Sequence, residues 1–310
     1  MIDAIASETT RIPIEFLCSH FGVSRSGFYY WKQLGNSVRF VKKEQVCSAI
    51  RESFENSAET YGSPRVWRDI KGRGICVSEN TVAKYMAEMG LDARLKKKFR
   101  VQITDSNHAG PIAERLFRVE DEQTLPEAPR QILAGDITYL RLGESFLYLA
   151  VVLDIFTREV VGWSMSRNLE TKLVLTALEG AMKRLGPDVE VMFHSDRGSQ
   201  YASEAYRRLC NAKNITLSTS RRGNCYDNSY VESWFSSLKK EWLYRRSYAG
   251  EEQLRTLVFH YIEVWYNRRR KHSALDYMSP VQFKKIFRLF NKLCPDILGN
   301  SIVVQVKIFT

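Results

Sequence analysis

Three acidic residues stand where an acid is hard to explain as surface decoration. Asp136 lies in Gly135-Asp136-Ile137-Thr138-Tyr139, inside an apolar run with the composition of a strand. A carboxylate there is expensive to bury unless it is paired or bound to metal. Asp196 comes directly after a second apolar run, in His194-Ser195-Asp196-Arg197-Gly198, and sites in α/β sheets gather at strand C-terminal ends. Glu232 belongs to a helical pattern in which Val231, Trp234, Phe235, Leu238 and Trp242 form an apolar stripe. Ser229, Glu232, Ser236 and Lys239 form the neighbouring polar stripe. Seven steps of about 100° return Lys239 to almost the side of Glu232, so an acid and a cation face one channel. Taken alone, Glu232 reads as an exposed helix carboxylate, the commoner fate of a Glu. As a set, the three are hard oxygen ligands without sulfur or a histidine cluster, which suits Mg²⁺, with Mn²⁺ as a substitute, over zinc.

Other polar residues near these have plainer readings. Asp154 ends a strand before a turn and is expected to serve the turn. Asp227 and Asn228 precede the Glu232 helix and read as caps. His194 reads as a packed or hydrogen-bonded residue behind Asp196. Arg221 and Arg222, with Gly223, form a loop suited to touching phosphate. Arg268, Arg269, Arg270 and Lys271 close a helix, where they could bind DNA or complement the helix dipole.

The elements that must position the acids begin at Gln131. Strands are expected at Ile132–Arg141, Phe146–Asp154 and Val160–Met165, linked by hairpins, before any helix. A helix at Leu173–Leu185, a strand at Val189–His194, a helix at Ser203–Asn214 and a strand at Ile215–Ser218 follow. Two long helices, about Ser229–Tyr244 and Gly250–Asn267, complete the order, which is that of an α/β domain. It matches the ribonuclease-H-like fold: a mixed five-stranded sheet with flanking helices, assigned to residues 130–288.

Ahead of it the chain looks helical and helix-turn-helix-like. Residues 1–58 offer a short helix carrying Ile14, Phe16 and Leu17, a turn at Gly22, and a helix capped by Ser24 that runs through Phe28, Tyr29 and Trp31. A longer helix has Val46, Ile50 and Phe54 on one stripe. Residues 59–103 repeat the pattern. Ser63 and Pro64 open a helix burying Val66, Trp67 and Ile70. Ser78 opens another, burying Val82, Met86 and Met89. Arg94, Lys96, Lys97, Lys98 and Arg100 place five cations in seven residues, suited to phosphate contacts, although a charged linker would look the same. Residues 104–129 read as a linker with one short helix near Ile112–Phe117, and 289–310 as a tail without an assigned role.

The chain carries a formal charge of +11. That favours a polyanionic partner, though a solvated basic surface explains it equally well. Six cysteines without Cys-x-x-Cys pairs read as free thiols of a reducing compartment. No signal peptide or apolar run long enough for a membrane span is evident, so the expected location is the cytoplasm.

Between Asp196 and Glu232 lie 35 residues, and between Asp136 and Asp196 lie 59. With this spacing the sequence resembles the Asp-Asp-35-Glu polynucleotidyl transferases, which include retroviral integrases and bacterial insertion-sequence transposases. Within them it looks like the second-frame product of the IS-three family. The resemblance runs through Tyr61-Gly62, Gly135–Tyr139, Leu147–Asp154, Phe156-Thr157-Arg158, Val161-Gly162-Trp163, His194–Tyr201, Ser220–Asn228, Glu232–Lys240, Tyr266–Leu275 and Ser279-Pro280. It covers roughly residues 12–287. Leu133 stands where these proteins usually have Trp, a packing position. The segment from about Phe290 to Thr310 matches nothing in the pattern and could be an added strand or translation past a damaged element end.

The resemblance implies a DNA transposase that cuts insertion-sequence ends and joins the freed 3′-OH to another strand. Asp136, Asp196 and Glu232 would hold two Mg²⁺ ions, Asp136 bridging both, and Lys239, with Lys240 beside it, would contact terminal DNA. It also implies partners: terminal-repeat and target DNA, a first-frame helix-turn-helix protein fused by frameshifting, and further copies of the chain on DNA. The competing readings are a nuclease or integrase of another mobile element, and a catalytically silent DNA-binding regulator or decayed transposase.

Overall fold

Short apolar runs between residues 132 and 219 form the sheet that positions two of the three acids. In the computed structural model, which describes residues 12–34, 38–93, 112–186, 190–220 and 228–293, the strands are β1 (Ile132–Leu142), β2 (Ser145–Asp154), β3 (Val160–Ser166), β4 (Val191–Ser195) and β5 (Ile215–Thr219). Their order is β3-β2-β1-β4-β5. The first three are antiparallel neighbours, whereas β1–β4 and β4–β5 are parallel. The sheet is therefore mixed and five-stranded, as the sequence predicts.

The helices of this unit follow the expected order. Helix α6 (Thr171–Leu185) packs on β2 and β3, α7 (Ser199–Ala202) and α8 (Glu204–Ala212) follow β4, and α9 (Ser229–Ser237) and α10 (Glu251–Phe259) follow β5. Leu133, Val152, Leu178, Phe193 and Tyr206 centre the core between sheet and helices. Gly162 permits the close approach of α6 to β3: a Cβ there would strike the carbonyl of Ala177 and the backbone of Ala181. Leu133 is fully buried and fills its packing position.

Several expectations change. Residues 112–118 form no helix. They run extended beside β5, where Leu116 and Phe117 donate N–H to Ser218 Oγ and Thr219 donates N–H to the Glu114 carbonyl. Phe117 is wholly buried, so tertiary pairing overrides a weak helical pattern. Both long helices pass into π-helical turns, α9 at Leu238–Trp242 and α10 at His260–Tyr266. A helix not anticipated, α11 (Pro280–Leu293), begins at a proline and seats Phe283 and Phe287 against Phe156.

The N-terminal unit, residues 1–94, is helical where described. It contains α1 (Ile14–His20), α2 (Arg25–Leu34), α3 (Val38–Asn56), α4 (Ser63–Gly72) and α5 (Glu79–Glu88). Ser24 accepts the Gly27 N–H and Ser78 the Thr81 N–H, both as N-caps. Gly62, not Ser63, holds the cap position of α4, and no side chain caps it. Val46, Ile50, Phe54, Val66, Ile70, Val82 and Met86 are buried, which explains the α3–α5 periodicity. In α2 Phe28 is buried, whereas Tyr29 and Trp31 are exposed. The basic run Arg94, Lys96, Lys97, Lys98 and Arg100 lies outside the described residues, as does the tail beyond 293.

Candidate active site

Parallel pairing brings the first two acids together. Gly135 of β1 stands opposite Ser195 of β4, so the next residue on each chain is Asp136 or Asp196. Asp136 remains in the ladder, and its Oδ1 accepts the Ile137 N–H at 2.7 Å. Asp196 has left β4, and its Oδ1 accepts the Gly198 N–H at 3.0 Å, shaping the turn into α7. Both are half-buried. Glu232 projects from the first turn of α9 and is exposed. The apolar stripe behaves as expected: Val231, Trp234, Phe235, Leu238 and Trp242 are all buried.

The three acids share an electrostatic environment. Burial pushes the Asp136 carboxyl well above its ordinary range, the nearby Asp196 charge adds to this, and Glu232 adds less; the Ile137 N–H and Lys239 oppose it. Tyr201, buried beneath the site, has its phenol pushed up by burial and then by Asp136 and Asp196. Among the described residues no three acid, His or Cys side chains already form a metal-holding cluster. The donor set is nonetheless what a hard divalent cation requires, and the raised Asp136 pKa reflects burial first and the like charges of Asp196 and Glu232 after it.

Lys239 completes the arrangement. Its Nζ donates to Thr138 Oγ1 at 2.7 Å and sits 4.4 Å from the centre of the Tyr139 ring. Burial lowers its pKa to about 8, against the pull of Asp136. Thr138 was detectable in principle, because it lies two residues from Asp136 and strand side chains two apart share a face. Tyr201 carried no such signal.

Residues expected near the site sort into different roles. The family model described as "Integrase core domain" matches residues 126–225 and again 213–280, and an "HTH-like domain" model matches 42–99. Transposase InsF for insertion sequence IS3A of Escherichia coli K12 is 37% identical over 282 residues, covering 90% of this chain and 96% of that protein. The chain belongs to the IS3 transposase family. The insertion element IS600 31 kDa protein of Shigella sonnei is 36% identical over 269 residues, covering 87% of this transposase and 97% of its relative. Among solved structures, the HTLV-2 integrase catalytic core in complex with magnesium aligns at 17% identity and a TM-score of 0.40, over 51% of this chain and 97% of that one. The BIV integrase core aligns at 16% and 0.40, over 53% and 99%.

In this transposase Asp154 is buried and serves a turn, its carboxylate accepting N–H groups of Arg130, Phe156 and Thr157. Burial raises its pKa and those bonds oppose the rise. His194 Nδ1 lies 3.0 Å from Ser218 Oγ, with the ring edge-on to Phe117, a packed role. Arg270 departs from expectation. It is 4% exposed, and Nε and Nη2 each lie 2.6 Å from a carboxylate oxygen of Glu241. A guanidinium so enclosed has no face for a phosphate and serves the core. Arg268 and Arg269 are exposed, and Lys240 is half-buried. Arg221, Arg222 and Asp227 lie outside the described residues. Asn228 occupies the cap position of α9 without capping it; its side chain goes elsewhere.

Proposed function

We propose that this transposase cuts the ends of its insertion sequence and transfers the freed 3′-OH to another DNA strand, using Asp136, Asp196 and Glu232. The observation that carries the reading is the convergence of those acids with Lys239 from β1, the end of β4 and α9. Two divalent cations, Mg²⁺ or Mn²⁺, bound by these carboxylates would supply an activated attacking oxygen and charge stabilisation for the leaving 3′ oxygen. The residues themselves supply position. Asp136, which feels the charge of both other acids, would help hold both cations, as the resemblance implies, with Asp196 and Glu232 completing the site. Lys239, held by Thr138 rather than by a carboxylate, keeps its charge available for the terminal DNA backbone, with Lys240 next to it.

Further DNA contacts are assigned to Arg221 and Arg222, to Arg268 and Arg269, and to Arg94, Lys96, Lys97, Lys98 and Arg100. Residues 1–58 and 59–103 would read DNA, 104–129 would link them to the core at 130–288, and 289–310 have no assigned part. A first-frame helix-turn-helix partner, fused by frameshifting, and further copies of the chain would assemble on terminal-repeat and target DNA in the cytoplasm. Among the described residues no helix is long and apolar enough to cross a membrane. The test incubates the chain, alone and fused to its first-frame partner, with an element-end duplex and Mg²⁺ beside Glu232→Gln. Release or joining of a 3′ end that disappears in Glu232→Gln supports the reading. Binding without cleavage by the native fusion overturns it in favour of a silent regulator.

A further inference from the structure

We infer that Asn228 is a positioning residue that sets the spacing between Asp136 and Glu232. The inference rests on the proposed roles of those acids. They come from different elements, β1 and α9, and Asn228 touches both. Its backbone carbonyl accepts the N–H of Glu232 at 3.2 Å. Its side-chain Nδ2 donates to the carbonyl of Gly135, the residue before Asp136, at 3.3 Å. One residue therefore joins the backbones that carry the first and third acids.

The chemistry of the contact fixes its direction. A carbonyl can face only a donor, so the amide nitrogen must point at Gly135 and the oxygen must point away. The recipient is itself fixed in the sheet, where Gly135 pairs with Val152 of β2 and Ser195 of β4. Any shift of β1 there moves Asp136 and the bond together.

Stability does not account for this residue. Asn228 is 5% exposed, and its Oδ1 is buried with no hydrogen-bond partner among the described residues. A buried acceptor left unmatched costs stability. The position begins a helix, where Asn is favoured because its side chain bonds a backbone N–H of the first turn. Here it makes no such bond; the amide is turned so that Nδ2 meets β1 and Oδ1 is left without a partner among the described residues. A residue that gives up its cap and leaves an acceptor unmatched is held for the one bond it makes.

A capping role and a spacing role predict opposite orders of substitution. Asp caps helices as well as Asn does, but a carboxylate cannot donate to the Gly135 carbonyl and would be repelled by it. Gln caps poorly but keeps the donor. The experiment uses the full chain with Mn²⁺ as probe. Bound Mn²⁺ is counted by electron paramagnetic resonance, element-end DNA binding by mobility shift, and folding by circular dichroism. Asn228→Ala and Asn228→Asp are expected to raise the half-saturating Mn²⁺ concentration about tenfold or more, as loss of a ligand-orienting partner does. Asn228→Gln is expected to recover part of that loss, with DNA binding retained in all three. If Asn228→Ala does not fold, the contrast between Asp and Gln decides. Wild-type Mn²⁺ binding in Asn228→Asp overturns the inference, as does a loss confined to DNA binding. Glu232→Gln separates the two levels. If it binds Mn²⁺ like the native protein, the site reading itself fails; if it loses Mn²⁺ while the Asn228→Ala and Asn228→Asp variants keep it, only the role of Asn228 fails.

Discussion

Lys239 and Glu241 stand two residues apart on the π-helical turn after α9, yet they serve different regions. Glu241 faces inward and meets Arg270 through two short charge-assisted bonds, with side chains 8% and 5% exposed. That neighbour drives the Arg270 pKa upward against the cost of burial. Lys239 faces Asp136 and rests on a hydroxyl and an aromatic ring, and its pKa falls to about 8. One cation is fully matched by the protein and the other is not. A buried charge completed by a carboxylate holds structure, whereas one in contact with a hydroxyl and a ring, and only drawn toward Asp136, is available to a ligand. Residues two apart on a helical turn point to nearly opposite sides, which divides the pair between the two regions.

Substitutions can break that comparison. Glu241→Ala leaves the Arg270 charge buried with Ser237 and the Tyr266 ring but without its carboxylate, and is expected to cost about 3–5 kcal/mol, read from denaturant unfolding. A loss under about 1 kcal/mol, typical of an exposed pair, would show that Arg270 finds solvent or another partner. Lys239→Met should do the reverse: melting unchanged or raised, but end cleavage reduced by about ten- to a hundredfold, the worth of a charged hydrogen bond to phosphate. Equal cleavage by Lys239→Met and native protein would remove Lys239 from the DNA interface. Replacing both partners, Glu241→Leu with Arg270→Met, should recover most of the loss caused by Glu241→Ala, because two apolar residues leave no unmatched charge; additive destabilisation in unfolding curves would contradict this. Thr138→Val should have the smallest effect, about 1 kcal/mol of stability, with a fall in cleavage smaller than that of Lys239→Met. A larger fall would give the Thr138 hydroxyl its own contact with DNA.

The sequence carried the sheet because each strand is a short apolar run bounded by turn residues, and the strands lie where the runs predict. It also singled out the three candidate acids, because their spacing follows that order of elements. Arg270 was illegible: within Arg268-Arg269-Arg270-Lys271 all four residues look alike, and the carboxylate that singles one out lies 29 positions away. The segment 112–118 misled because the hydroxyl of Ser218 that claims its N–H groups is about a hundred positions distant. Asn228 read as a cap because local rules know only the helix it begins, whereas its bond crosses to β1. The stripe arithmetic survived for Lys239 because the π turn starts only at Leu238. In each miss a long-range partner overruled a sound local rule.

The parallel pairing of β1 with β4 also bears on how the protein comes into being. Strand β2, strand β3 and α6 lie between the two in the chain, so Asp136 is translated well before Asp196 and Glu232. Pairings this far apart form late, after the hairpins and helices between them. A ribosome that has delivered only the first three strands and α6 holds a chain with one acid and neither companion. The proposed DNA-cutting centre is then among the last parts of the core to exist, and on that proposal an abandoned fragment ending before α9, lacking Glu232, would leave the chromosome of its own cell untouched.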